Sequence, residues 1–239
     1  MTSQTILKLL TGSGIGSRRK MADAIKQGRV EVNGTIVEDF RQAVNARTDR
    51  VTIDGNPVGF KRESPVYVIL NKPKGITATT NDDRGNETVM DILPKKYQNT
   101  RLYPVGRLDK ESTGLILLTN DGELTYRLTH PKFEREKEYL VQIEGSLMTE
   151  EIMKLKKGLE LDDGKTYPAV VREAKSPPFN YSITIHEGRK RQVRRMFASL
   201  EHRVLELRRV RMGGIRLGDL KEGDTRELSG AEIRALAKG

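Results

Sequence analysis

Asp109 lies in the run Gly106-Arg107-Leu108-Asp109-Lys110-Glu111-Ser112-Thr113-Gly114-Leu115-Ile116-Leu117-Leu118-Thr119-Asn120-Asp121-Gly122, a carboxylate set between an arginine and an apolar stretch. A positioned carboxylate can serve as a nucleophile or a general base. Taken alone, an aspartate after Arg-Leu is more often a turn or capping residue. Its neighbours change that reading. Leu115-Ile116-Leu117-Leu118 is continuous enough to be buried on both faces, so the preceding loop sits on a rigid core element. Gly106 and Gly114 bracket the loop and permit close backbone approach to a ligand. Asn120-Asp121-Gly122 reads as a simple turn. The second half adds Lys137-Glu138-Tyr139 at a strand start and Glu187-Gly188-Arg189-Lys190-Arg191-Gln192-Val193-Arg194-Arg195-Met196 entering a helix.

Other chemistries are poorly supplied. The chain has no cysteine, which excludes disulfides and thiolate metal sites and fits a reducing compartment. Its three histidines, at 130, 186 and 202, are far apart, so no metal site is expected. No apolar run is long enough to span a bilayer and the N-terminus lacks a signal core, so a cytoplasmic protein without membrane contact is expected.

The formal charge of +10 is concentrated. Residues 1–34 hold six Lys/Arg against two acids and residues 187–211 nine against three, leaving the remainder formally neutral. Either patch alone could be a solvated helix face. Two concentrated patches suggest two contacts on one nucleic acid.

These groups need elements to position them. Ile6, Leu7, Leu9 and Leu10 predict a short helix ending at Gly12-Ser13-Gly14, and Ser17 is the expected N-cap of a second helix stopped at Gly28. Arg18, Arg19 and Lys20 fall in its first turn, where the helix dipole disfavours cations unless an anion such as phosphate faces them. Val30 to Val37 alternates around Asn33-Gly34 and predicts a hairpin. A strand and turn follow at Val51-Thr52-Ile53-Asp54-Gly55, and residues 60–65 read as a polar linker. The expected boundary near residue 62 separates an N-terminal domain, 1–62, from a larger one, 63–239. In the second, strands are expected at 66–70, 115–119, 138–143 and 181–186, with helices at 150–157 and 192–200. That pattern predicts an α+β fold with a mostly antiparallel sheet flanked by helices and loops. Asn81-Asp82-Asp83-Arg84-Gly85 reads as an exposed loop without chemistry.

The first quarter, with its basic helix start and Val-x-Val-Asn-Gly hairpin, resembles the small RNA-binding module known from ribosomal protein S-four. The resemblance implies RNA contacts by Arg18, Arg19, Lys20, Arg29 and Asn33. Residues 66–239, through GRLDKESTGLILLTNDG, KEYLV, EGRKRQVRRM and GDLKEGDTREL, resemble the pseudouridine synthase domain of the Rsu/Rlu group. The similarity is greatest to the RluB-like branch, which modifies large-subunit ribosomal RNA.

This resemblance implies isomerisation of a uridine to its C-glycoside in ribosomal RNA, with 23S as the expected substrate and 16S as the alternative, by a monomer needing no cofactor. It gives Asp109 the role of nucleophile or base, Arg194 that of its basic partner and Tyr139 that of the ring against the uracil. Arg107 would assist extrusion of the uridine, or could pair locally with Asp109 or Glu111. Leu207 is expected beneath the uracil, or as a plain core residue. Lys72-Pro73-Lys74-Gly75 matches the opening motif, with Lys72 and Lys74 as scaffold and RNA-backbone contacts. Arg189, Lys190 and Arg191 extend the basic surface. Two other classes remain to be separated from this one: a non-catalytic ribosome-assembly factor, and a nuclease or glycosidase pairing Asp109 with Glu111 or Asp121.

Overall fold

The computed structural model describes residues 3–60 and 64–238, so the expected boundary near residue 62 lies outside the described residues. The chain divides into two compact units, Met1–Ser64 and Pro65–Gly239.

In the first unit, helix α1 (Ile6–Gly12) buries Ile6, Leu7, Leu9 and Leu10. Helix α2 (Arg18–Lys26) starts at Ser17, whose side chain accepts a hydrogen bond from the Lys20 backbone N–H at 3.1 Å. This supplies an acceptor for one of the helix's unpaired first-turn donors. Strands β1 (Val30–Val32), β2 (Thr35–Ile36), β3 (Val51–Ile53) and β4 (Asn56–Pro57) form a sheet ordered β2-β1-β3-β4. Both of its hairpins turn through two consecutive positive φ values, +52° and +83° at Asn33-Gly34 and +52° and +76° at Asp54-Gly55. Two-residue turns of that hand match the twist of the strands they join. Val30, Val32, Val37 and Val51 close the core against both helices.

The second unit is built on a nine-stranded sheet. Its main strands are β5 (Tyr67–Lys72), β6 (Thr113–Thr119), β7 (Lys137–Ile143), β8 (Val170–Ser176), β9 (Phe179–Ile185), β10 (Val204–Met212) and β11 (Thr225–Glu227). They are ordered β8-β9-β7-β10-β6-β5-β11, and all these neighbours are antiparallel except β6 with β10. Tyr103–Pro104 adds to β6 and Ile215–Arg216 to β10. The α+β fold with a mostly antiparallel sheet is therefore as expected.

Every residue of β6 is buried. Ile116 and Leu118 face a core containing Val68, Leu70, Leu108, Tyr139, Leu207 and Phe197. Leu115 and Leu117 face a second core with Ile69, Leu124, Leu128 and Met212. Alternate side chains of one strand thus anchor two layers, and truncating any of these leucines to alanine costs about 2–5 kcal/mol.

Helices α4 (Thr149–Lys157) and α5 (Gln192–Ala198) lie where periodicity predicts them, α5 ending two residues early. Helices α3 (Gly122–Thr129) and α6 (Gly230–Lys238) were not expected. Asn120-Asp121-Gly122 is consequently a helix start and not merely a turn. The Asp121 carboxylate accepts hydrogen bonds from the Glu123 and Leu124 backbone N–H groups, both at 3.0 Å, and from the Tyr67 hydroxyl at 2.8 Å.

Candidate active site

The Asp109 loop leaves the Tyr103–Pro104 strand, turns through Gly106 at φ +72°, and re-enters the sheet at Thr113. Buried Leu108 anchors it to the core, while Asp109 itself is half-buried. The Ser112 backbone N–H donates to the Asp109 carbonyl at 3.0 Å, closing a turn around the carboxylate.

Three elements tie this loop down. The Lys110 carbonyl accepts from the Gly75 backbone N–H at 2.9 Å and from the Lys72 ammonium at 3.3 Å. The Lys110 ammonium donates to Asn86 Oδ1 at 2.7 Å. From α5, Arg194 donates to the Glu111 carbonyl at 3.2 Å and to the Val204 carbonyl at 3.0 Å. A carboxylate on a loop so fastened is held in place before any ligand arrives, which is the entropic advantage of a prepared site.

Arg194 therefore meets Asp109 as a charge across space; among the described residues no hydrogen bond or ion pair joins them. Burial, then the neighbouring Arg191, pushes the Arg194 pKa down, while Asp109, Glu111 and Glu206 oppose the shift. Asp109 also faces Lys72, whose ammonium burial pushes down to about 8 against the pull of Glu111, Glu222 and Asp109. The carboxylate thus lies in the field of two partly desolvated cations.

Lys72 corrects an expectation. It was expected as an RNA-backbone contact on a turn, but β5 runs on through it and leaves it 0% exposed. Its ammonium is spent on the carbonyls of Pro73 and Ile76, both at 2.7 Å, as well as Lys110. Lys74, two residues on, is exposed and paired with Glu206 at 3.0 Å.

Tyr139 and Leu207 are buried in the same core layer as Leu108. Tyr139 on β7 pairs with Arg209 on β10, and Arg209 with Gly114 on β6, so the ring stands in a row that leads to the end of the Asp109 loop. Arg107 is exposed and makes no side-chain hydrogen bond or ion pair among the described residues, so the local pairing with Asp109 or Glu111 is not formed. The close approach at Gly114 is to protein and not to ligand. With φ +98°, a Cβ there would stand 2.3 Å from the Arg209 carbonyl oxygen, so glycine is what lets the parallel strands meet.

The second basic patch is largely consumed inside the unit. Arg189, expected on RNA, donates to Glu187, Asp163 and the carbonyls of Gly164 and Lys165, clipping the short hairpin 160–165 to the sheet. Arg195 pairs with Asp163, Arg211 with Glu136 and Glu138. Lys190 and Arg191 remain exposed. In the first unit Arg18, Arg19 and Lys20 are exposed without side-chain partners among the described residues. Arg29 forms a two-pronged pair with Asp54, and the Asn33 amide bridges Asp49 and the Arg50 backbone N–H.

Two desolvated cations, buried Arg209 and half-buried Lys137, are not among the expected site residues. Arg209 is 2% exposed and donates through Nε to the Leu115 carbonyl at 2.7 Å. Lys137 is pushed down to about 8 by burial first and then by Arg209. Period-two counting along β10 puts Arg209 in phase with Leu207, and that was the available signal.

Residues 66–199 match the RNA pseudouridylate synthase family and residues 5–51 the S4 domain. The chain is 40% identical to a ribosomal large subunit pseudouridine synthase B of Bacillus subtilis (strain 168), over 98% of this chain and 95% of that protein. It is 39% identical to an uncharacterized RNA pseudouridine synthase of Aquifex aeolicus (strain VF5), over 100% and 95%. A pseudouridylate synthase crystal structure superposes with a TM-score of 0.69 at 33% identity, covering 98% of this chain and 100% of that one. With a fastened Asp109 loop, a buried Tyr139 in the same core layer as Leu108 and these matches along nearly its whole length, the chain belongs to the RNA pseudouridylate synthase family and carries an S4 domain.

Proposed function

We propose that this protein converts a specific uridine of 23S ribosomal RNA to pseudouridine, with Asp109 as nucleophile or base. The observation that carries the reading is the Asp109 loop, tied to β5 by Lys72 and to α5 by Arg194, two cations that face the Asp109 carboxylate without pairing with it. The large-subunit substrate is carried over from the Bacillus subtilis relative, a ribosomal large subunit pseudouridine synthase.

Isomerisation breaks the bond between ribose C1′ and uracil N1 and makes one between C1′ and C5. The proton lost from C5 is balanced by one gained at N1, so no second substrate is consumed. Asp109, near the sugar, attacks a carbon or removes a proton. Arg194 stabilises the carboxylate, and Tyr139 offers its ring to the turning base. Leu207 supplies the apolar floor. A uridine inside folded RNA must first be extruded, and Arg107, exposed and unengaged, is suited to fill the gap.

Residues 1–62 dock RNA through Arg18, Arg19 and Lys20, and residues 63–239 do the chemistry, with Lys74, Lys190 and Arg191 exposed for further backbone contacts. The protein works in this reading as a cytoplasmic monomer. Among the described residues no helix is long and apolar enough to cross a membrane.

The test is Asp109→Asn. It should retain RNA affinity while pseudouridine formation falls by at least about 10²–10⁴-fold, the range for losing a general base. Full activity in that variant would refute the assignment and favour a binding factor. Pseudouridine maps of ribosomal RNA from cells with and without the protein locate the substrate; a loss confined to 16S RNA would move it to the small subunit. Cleaved RNA or a freed base would instead indicate a nuclease or glycosidase.

A further inference from the structure

Beside the Asp109 loop lies an open cavity of about 460 Å³ that the chemistry above does not use. Asn81, Asp83, Arg84, Asn86 and Lys110 are among its walls. Ile76, Ala78 and Val89, which flank the loop carrying these residues, pack in the same core layer as Leu108, Tyr139 and Leu207. Cavity and Asp109 loop therefore share one face of the sheet. Lys110 belongs to both, since it follows Asp109 directly and its ammonium holds Asn86 at 2.7 Å.

The loop is rigid despite its exposure. The Asp82 carboxylate accepts from the Arg84 backbone N–H at 2.9 Å and from the Asn86 amide at 2.8 Å. Thr77 exchanges backbone hydrogen bonds with the returning strand, accepting from Val89 and donating to Glu87, both at 2.9 Å. With Asp82 and Asn86 spent on this framework, the groups left for a ligand are those at the rim. Arg84 is exposed and makes no side-chain hydrogen bond or ion pair among the described residues. The Asn81 backbone is bonded to Thr79, and among the described residues its side chain meets only Asp83, at 3.3 Å.

Size and chemistry restrict the occupant. The volume falls within the roughly 300–1,000 Å³ usual for small-ligand sites, so one nucleotide fits. Arg84 and Lys110 offer cations to a phosphate, while Asn81 and Asp83 present the donor and acceptor pattern that reads a base edge. A carboxylate accepts from N–H groups, which favours a base bearing an exocyclic amine over uracil, whose edge offers mainly carbonyls. Extruding a uridine also leaves its neighbours in the RNA unstacked and available for such capture.

We infer that this cavity receives the unpaired nucleotide adjoining the target uridine, with Arg84 on its phosphate and Asn81 and Asp83 on its base. The inference rests on the proposed isomerisation in RNA, and makes the loop 79–86 a determinant of which uridine is chosen.

The test uses hairpin RNAs carrying the mapped target uridine, each with one flanking nucleotide made abasic, and compares the wild-type protein with Asp83→Ala. On the intact hairpin Asp83→Ala should raise KM by about 5- to 150-fold, the loss typical of one base-level contact, with kcat within about twofold and an unchanged melting temperature. One abasic position should raise the wild-type KM comparably and have little further effect in the variant. Wild-type KM in Asp83→Ala, or equal abasic penalties in both proteins, would overturn this inference alone. A wild-type protein that forms no pseudouridine in any of these RNAs would overturn the proposed function with it.

Discussion

Replacing Lys72 by methionine tests the electrostatics of the Asp109 loop, because it removes a buried charge of nearly equal volume. In the folded protein the ammonium titrates at about 8 against an ordinary 10.5, chiefly through burial. That difference corresponds to about 3 kcal/mol of destabilisation while the group is charged. The sign follows from proton counting. Between pH 8 and 10.5 the unfolded chain binds the proton that the folded one has released, so stability rises with pH there, and below 8 the full cost is present. From pH 7 to 9.5 the wild-type protein should therefore gain about 2 kcal/mol relative to Lys72→Met. At pH 7 the variant escapes the charge cost but leaves the Pro73, Ile76 and Lys110 carbonyls without their donor, at about 1 kcal/mol or more each, so its net change is small. The slope is thus the informative quantity. Urea unfolding followed by tyrosine fluorescence measures it, since all seven tyrosines lie between residues 67 and 181 and there is no tryptophan. Lys137 shifts in the same direction but cancels in the difference, and Tyr67, pushed up to about 12, acts only at higher pH. Loss of the Lys110 tether should also lower kcat by about tenfold or more. Parallel pH curves, or full activity with no change in slope, would refute the account of Lys72.

Gly114→Ala should destabilise the catalytic unit by about 3 kcal/mol or more, since the new Cβ meets backbone atoms of Arg209 at 2.3 and 2.8 Å that cannot swing aside. Gly106→Ala, whose nearest neighbour is a Thr129 methyl at 3.6 Å, pays only for its positive φ, about 1 kcal/mol; comparable melting losses for the two would contradict this. Asp121→Ala should cost about 1–2 kcal/mol as α3 loses its cap, and lower the Tyr67 pKa part of the way from about 12. The fall is partial because burial, which the substitution leaves in place, is the larger cause; an unchanged phenol in an ultraviolet titration would exclude the Asp121 contact.

Much of this architecture was legible in local signals. Ser17 and the Asn33-Gly34 turn act over three or four residues, so their types dictate the cap and hairpin that form. The apolar run 115–118 likewise required burial on both faces and obtained it. What escaped has two causes, local ambiguity and long-range pairing. Asp121 reads as a turn residue because a cap and a turn share the same residue types, and only the apolar phase of Leu124 and Leu128 distinguishes the helix. Lys72 and Arg189 read as nucleic-acid contacts because a cation's chemistry is visible in sequence, whereas the carbonyls and carboxylates that consume it lie up to 38 residues away. Charge density along a chain therefore overstates the basic surface wherever strands carry arginines in phase with their buried side chains, as β10 does with Arg209.

Under the proposed role of Asp109, the arrangement also bears on how its carboxylate is kept accessible. A direct two-pronged pair, such as Arg29 makes with Asp54 in the first unit, would occupy the Asp109 oxygens and have to be broken before they could reach a sugar or a base. Here both nearby cations are restrained by carbonyls: Arg194 by those of Glu111 and Val204, and Lys72 by those of Pro73, Ile76 and Lys110. Their positive charge still acts on Asp109 through a weakly screening interior, but their donors are directed elsewhere. The same carbonyl bonds hold the loop. One set of hydrogen bonds thereby positions the carboxylate, restrains the two cations near it and leaves its oxygens uncovered.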